Sequence, residues 1–279
     1  MKRRALIHIF GLGIFCLINA GTTGCARYVL TASLDFVELG PEGILRHAAE
    51  RAGSVAGLLA TGTLQVRMER GALSAQCAIL YAEPDSIRLE ISAALGTTIL
   101  RAMMAGPRIQ VYVPSERAVV EGSVEPGDIL EFGGIPIELA SIRELVLGPA
   151  VARNWVDLAA VVDQMDVKPD EIVLGAPRPG GTRLLMNLDT DLHYRKMTII
   201  DADGTVVQES IFEDYRRVGG TFLPRVVRMR YPGRFLQVTF EAARQRVDPA
   251  RTRGDFMLRL PAGVRRLTLV PPSTDAPAP

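Results

Sequence analysis

Through the middle of the chain, apolar and polar residues alternate with a period of two. Leu64, Val66 and Met68 alternate with Gln65, Arg67 and Glu69; Ile87, Leu89 and Ile91 alternate with Ser86, Arg88 and Glu90; Ile109, Val111 and Val113 alternate with Gln110 and Tyr112. Successive side chains of a strand point to opposite faces, so each run predicts a strand with one apolar and one wet face. Turn-forming groups separate the runs at short intervals: Glu69-Arg70-Gly71, Glu83-Pro84-Asp85, Leu95-Gly96 and Gly106-Pro107. They predict antiparallel hairpins. Strand patterns resume near Glu171 and continue through Arg183–Leu188, His193–Ile200, Thr205–Tyr215, Thr221–Tyr231, Arg234–Gln245 and Phe256–Leu260, with Asp203-Gly204 as a hairpin turn.

Three stretches depart from this period. Pro41–Arg51 predicts a short amphipathic helix, with Pro41 at its first position and Ile44, Leu45, Ala48, Ala49 and Ala52 at helical spacing. Pro126–Phe132 predicts one helical turn. Ile137–Leu147 predicts a helix with Leu139, Ile142, Leu145 and Val146 on one face, stopped by Gly148-Pro149. Residues 151–165 fit helix or strand. No linker-like boundary divides the rest, so residues 41–268 read as a single domain, mainly β, of about ten or more antiparallel strands with a few helices. The Pro-rich tail, 269–279, is expected to be disordered.

The start of the chain is different. Lys2, Arg3 and Arg4 precede an apolar run from Ala5 to Ile18. That run is shorter than the ~20 residues a helix needs to cross a bilayer core. A charged start, a short apolar run and small residues after it predict a removed signal peptide over 1–24, with a short membrane anchor as the alternative. Thr22-Thr23-Gly24-Cys25 resembles the lipobox of bacterial lipoproteins, with Thr22 where Leu is usual. The resemblance implies that Cys25 is acylated and that residues 25–40 form a lipid-anchored tether. Ordinary signal cleavage is the rival, but Ile18-Asn19-Ala20 lacks the small residue that such a site places two before its last Ala. With Cys25 acylated and Cys16 removed, Cys77 has no intramolecular partner; a Cys25–Cys77 bridge is the alternative. Ala26 is not Asp, the residue that in many Gram-negative lipoproteins signals inner-membrane retention, which favours the outer membrane.

Composition adds limits. With 279 residues, 48% hydrophobic and 23% charged, the chain belongs to the ordinary globular class and has enough apolar residues for a sizeable core. The formal charge is +1, and loss of Lys2, Arg3 and Arg4 leaves 29 − 31 = −2, so no global charge points to nucleic acid. Residues 216–266 carry thirteen Arg against Glu241, Asp248 and Asp255, a local 13 − 3 = +10. This is either the wet face of a sheet or a basic surface for anionic headgroups. Catalytic patterns are not found. His47 and His193 lack zinc-ligand spacing, and the chain holds no nucleophile elbow, phosphate loop or dinucleotide fingerprint. The carboxylate pairs Asp189/Asp191 and Asp201/Asp203 read as strand-end and turn residues. The expectation is a protein that is not an enzyme, with no metal and no cofactor.

Two segments carry a family resemblance. Arg88-Leu89-Glu90-Ile91-Ser92-Ala93-Ala94-Leu95-Gly96-Thr97-Thr98-Ile99-Leu100 is similar to the strand–loop–strand of the LolA/LolB-like lipoprotein localisation superfamily, closest to the outer-membrane lipoprotein receptor LolB. Ile135-Pro136-Ile137-Glu138-Leu139-Ala140-Ser141-Ile142-Arg143-Glu144-Leu145-Val146-Leu147-Gly148 resembles a helix of the same family. The match spans about residues 58–150, with Ala94 where the family has Pro and Val146 where Trp is usual. The resemblance implies an incomplete antiparallel β-barrel around an apolar hollow under a helical lid. In that family the hollow receives the acyl chains of lipoproteins handed over by a periplasmic LolA-like carrier. An exposed leucine in the loop passes them to the membrane, and Leu95 holds that position here.

Physical chemistry fits such a role. Moving an acyl chain of ~15 methylenes into water costs about 12 kcal/mol, so a carrier must offer a dry apolar site. The expected lining is Leu64, Val66, Met68, Ile87, Leu89, Ile91, Ile109, Val111 and Val113, with Leu139, Ile142 and Leu145 in the lid. The alternative is the same fold with those side chains packed as a solid core, serving as a structural or interaction lipoprotein in envelope assembly. Periodicity alone does not separate the two.

Overall fold

The computed structural model describes residues 35–52, 55–83, 86–123, 129–132, 135–138, 159–247 and 253–269. The expected signal peptide, Cys25, the lid residues Leu139, Ile142 and Leu145, and residues 270–279 of the tail lie outside them.

A helix, α1 (Phe36–Ala52), comes first. It is broken at Gly40, whose φ of 62° is the left-handed backbone that glycine tolerates. Pro41 restarts the helix, as its fixed φ and missing N–H suit a first position. The short leading segment Phe36–Leu39 falls in the stretch expected to be tether. Ile44, Leu45, Ala48 and Ala52 are buried, the face the spacing predicts.

Sixteen strands follow among the described residues: β1 (Gly57–Met68), β2 (Gly71–Ala82), β3 (Ser86–Ser92), β4 (Thr98–Ala105), β5 (Arg108–Val113), β6 (Ala118–Ser123), β7 (Ile129–Phe132), β8 (Ile135–Glu138), β9 (Gln164–Val167), β10 (Ile172–Pro177), β11 (Arg183–Leu188), β12 (Tyr194–Ile200), β13 (Val206–Val218), β14 (Thr221–Tyr231), β15 (Leu236–Val247) and β16 (Arg265–Thr268). A four-residue helix, α2 (Arg253–Phe256), precedes β16. Fourteen strands form one sheet in the order β16-β6-β5-β4-β3-β2-β1-β15-β14-β13-β12-β11-β10-β9; β7 and β8 pair separately. The sheet is curled and open, with edges at β16 and β9. The mainly β, incomplete-barrel expectation is met.

β1 lies at the centre, paired with β2 on one side and β15 on the other. Residues opposite each other across a ladder share a face, so the registers assign every side chain. The inner face carries two large buried clusters. One joins Ile44, Leu45 and Ala48 of α1 to Leu174, Met186, Phe212, Val227 and neighbours on β10–β14. The other gathers Leu64, Val66, Ile79, Ile87 and Phe240 on β1–β3 and β15. The outer face is wet except where residues 256–264 cover it: Leu258, Leu260 and Val264 pack on Met103, Tyr112 and Val119.

Three local expectations are corrected. Pro126–Phe132 was expected to be helical, but Ile129–Phe132 is a strand paired antiparallel with Ile135–Glu138, whose last two residues, Ile137 and Glu138, begin the expected 137–147 helix. β-branched and aromatic residues on either side of Gly133-Gly134 favour strand pairing over a helical turn. Phe256–Leu260 is not a strand. Its alternation arises because Phe256 and Leu258 turn inward as a cover for the sheet, while Met257 and Arg259 face water. The last strand, β16, pairs in parallel with β6, not as an antiparallel hairpin.

Candidate functional site

The nine expected lining residues all fall on one face. Leu64 pairs with Phe240 and Ala75, and Val66 with Val238 and Leu73. Ile79 pairs with Leu89, Cys77 with Ile91, and Ile87 with Met104. Met104 in turn meets Ile109, and Ala102 meets Val111. The result is a continuous apolar wall over β15 and β1–β6. Its middle contains residues the alternation argument passed over: Cys77 and Ile79 on β2, Leu100, Ala102 and Met104 on β4, and Val238 and Phe240 on β15. In Gly71–Ala82, small and polar residues dilute the pattern, so β2 gave a weak periodic signal.

The wall grades from closed to open. On β1, Leu58 and Ala60 are buried, while Met68 is 37% exposed. On β2, Ile79 and Tyr81 are buried and Leu73 is 43% exposed. On β3, Ile87 is buried, and Leu89 and Ile91 are half-buried. On β5, Ile109 and Val111 are buried and Val113 is half-buried. In each case exposure rises toward the end of the sheet that carries the β3–β4 loop. There the Ala93 N–H donates to the Thr97 carbonyl at 2.8 Å and the Gly96 N–H to the Ala93 carbonyl at 2.9 Å. Gly96 has φ of 80°, which lets the turn close so tightly. Leu95 stands at its tip, 97% exposed.

Cys77 is a free, buried cysteine in the centre of this wall. Burial pushes its thiol up to about 12. Only the thiolate reacts readily, so maleimide should label Cys77 about 1,000-fold more slowly in folded than in urea-unfolded protein at neutral pH. Peptide mapping by mass spectrometry reads this directly; rapid labelling of the folded state would mean that water reaches the wall freely at this depth.

The polar candidates serve the scaffold. Asp189 Oδ1 accepts the N–H groups of Asp191 at 3.0 Å and His193 at 2.9 Å, and Oδ2 accepts from Arg195 Nε at 2.9 Å. Burial pushes the Asp189 carboxyl up, yet its bonds to His193 and the charges of His193 and Arg195 prevail and hold it below its ordinary value. His193 stacks on Tyr215 with centroids 4.7 Å apart. Asp201 Oδ1 accepts from the N–H groups of Asp203 and Thr205 and so builds the β12–β13 turn. Among the described residues, no three His, Cys, Asp or Glu side chains gather as a metal site. Part of the Arg-rich stretch resolves into cross-strand pairs on the outer face: Arg228 with Glu213 at 2.9 Å, Arg230 with Glu209 at 3.5 Å, and Arg225 with Glu241 at 2.8 Å and with Asp214. Arg266 pairs with Glu121 at 2.7 Å. The wet-face reading describes these arginines.

No protein-family model matches the chain, and no curated protein matches its sequence. Solved structures do. A DUF1329 family protein from Desulfovibrio piger superposes with a TM-score of 0.59 at 12% identity, covering 78% of this chain and 98% of that one. A LolA superfamily protein from Nitrosomonas europaea gives a TM-score of 0.55 at 12% identity, with 78% and 98% coverage. A domain from Vibrio parahaemolyticus described as an outer membrane lipoprotein-sorting protein gives 0.56 at 13% identity, with 79% and 97% coverage. At this identity the likeness establishes the fold, the open barrel of LolA-type proteins, and function has to be argued from the site. None of the three is described as LolB, so that narrower resemblance is carried by the sequence segments alone.

Proposed function

We propose that the protein is a lipid-anchored, non-enzymatic binding protein on the periplasmic face of the outer membrane. It takes the acyl chains of lipoproteins, or of a related lipid, against its inner wall and passes them to the membrane. The observation that carries this reading is the graded apolar wall, which on β1, β2, β3 and β5 is closed at one end and half-open at the end bearing Leu95. A purely structural sheet gains nothing from apolar side chains left half in water, whereas an acyl chain laid along Leu89, Ile91 and Val113 would cover them. Cargo comes from a periplasmic LolA-like carrier, and Cys25 holds the protein to the membrane through its own acyl groups. The fold shared with lipoprotein-sorting proteins supports the reading. So does the division of labour within the sheet, where α1 fills the β10–β14 half and leaves the β1–β6 half to face cargo.

Native mass spectrometry of the purified protein should reveal co-purified lipid, and a fluorescent fatty acid should be taken up. Leu95→Glu should leave uptake intact and slow transfer of the bound fatty acid to vesicles about ten-fold or more, since a charge replaces an apolar tip at the bilayer surface. Persistently empty protein with no uptake would count decisively against the reading.

A further inference from the structure

Strand direction places the turns of the sheet at two ends. β1 ends at Met68 beside the start of β2 and, through the Arg67–Gln237 pair, beside the start of β15. The β1–β2, β3–β4, β5–β6, β10–β11, β12–β13 and β14–β15 turns therefore share one end. The apolar residues exposed there are Leu95 (97%), Phe235 (70%), Val207, Leu73 and Met68. Among the described residues, no hairpin turn at the opposite end exposes a large apolar side chain; the other exposed ones, Val37, Ile99, Val161, Met257 and Leu267, lie outside the hairpin turns. Such one-sidedness marks a surface that meets something apolar.

Phe235 is the most telling of these. It closes the Pro232–Arg234 turn of the β14–β15 hairpin with φ of 50° and ψ of 31°, a left-handed conformation that suits glycine and disfavours an aromatic side chain. The fold draws little burial from the ring. The loops that carry Leu95 and Phe235 are centred four strand spacings apart in the order β4-β3-β2-β1-β15-β14, or about 19 Å along the sheet. The loops 93–97 and 232–235 hold no acidic residue, and between and beside the two tips Arg67, Arg70 and Arg234 outnumber Glu69; Asp201 and Asp203 of the same end lie beyond Phe235, in the β12–β13 turn.

We infer that this end is a two-point docking surface for an anionic lipid bilayer, with Phe235 as the second anchor beside Leu95. The inference deepens the proposed function and rests on its acyl anchor at Cys25. Ten residues from Cys25 to Asp35 reach at most about 35 Å, so an acylated chain keeps the domain close to the bilayer. The two tips then insert, while the arginines between and around them meet headgroup phosphates.

The test uses the acylated full-length chain in vesicles of phosphatidylethanolamine and phosphatidylglycerol. An environment-sensitive fluorophore is placed at Leu95→Cys, Phe235→Cys or, at the opposite end, Asp170→Cys. Labels at 95 and 235 should shift to the blue and be quenched several-fold by nitroxide-bearing lipid, and the label at 170 should not change. Phe235→Ser should reduce the docked fraction reported at position 95 about ten-fold, and Phe235→Leu should restore it. Chain that does not float with the vesicles overturns the anchor and this inference together. Flotation with quenching at 95 but not 235 overturns the second anchor and leaves the proposed function standing. Equal quenching at 170, equal docking on phosphatidylcholine, or a blue shift at 235 without nitroxide quenching (a protein covering the ring) overturns the anionic bilayer as partner.

Discussion

Gly62→Ala should destabilise the protein by about 3 kcal/mol, or prevent folding altogether. A Cβ built at Gly62 would sit 2.0 Å from the Glu241 carbonyl oxygen and 2.8 Å from the Ala242 Cα. Both are backbone atoms of β15, so no side chain can rotate away. The clash falls where the β1–β15 ladder shifts register between Thr61 and Gly62, at the seam that joins the two halves of the sheet. Relief would require parting that ladder. Gly233→Ala makes the control, since nothing lies within 4 Å of its added Cβ. Urea unfolding should show a large fall in midpoint with unchanged slope for Gly62→Ala and almost none for Gly233→Ala. Equal midpoints would mean that the two halves are not held by this close approach.

Leu89→Glu should lower fatty-acid affinity about 100-fold or more without unfolding the domain. Leu89 is half-buried on the inner face, flanked by Ile79 and Ala102. A carboxylate there keeps enough water to be tolerated in the empty protein, but an acyl chain arriving over it would strip that water away at a cost of several kcal/mol. Gln65→Glu, exposed on the opposite face of β1, adds the same charge and should leave binding unchanged. Displacement of a fluorescent fatty acid measures both, with circular dichroism to check the fold. Undiminished affinity in Leu89→Glu would place the acyl site elsewhere.

What could be read from the sequence follows from what periodicity encodes. Alternation reports which face of a strand is apolar, so β1, β3 and β5 were legible, and β11 and β14 match the expected Arg183–Leu188 and Thr221–Tyr231. It reports nothing about what lies over that face. Hence neither the covering of β10–β14 by α1 nor the half-open state of Leu89 and Ile91 could be foreseen. Ile129–Phe132 and Ile135–Glu138 were misread because short runs of Ile and Leu satisfy helical and strand spacing alike. The parallel β16 gave no local sign, since its partner lies far back in the chain. Arginine density in 216–266 suggested a basic surface, but four of its pairing carboxylates, Glu209, Glu213, Asp214 and Glu121, precede that window. Phe235 stood out only once its turn was seen to share an end with Leu95.

The central position of β1 has a kinetic consequence. The strand is made early, yet its partner on one side, Leu236–Val247, emerges nearly 180 residues later. Until then β1 carries an unsatisfied row of amides and carbonyls along an apolar ribbon, which is the arrangement that invites pairing with foreign chains. Closing so long a loop makes the final zippering slow. Such a chain depends on being kept apart from its neighbours while it waits, and truncation near the C-terminus would strand the first half in an aggregation-prone form.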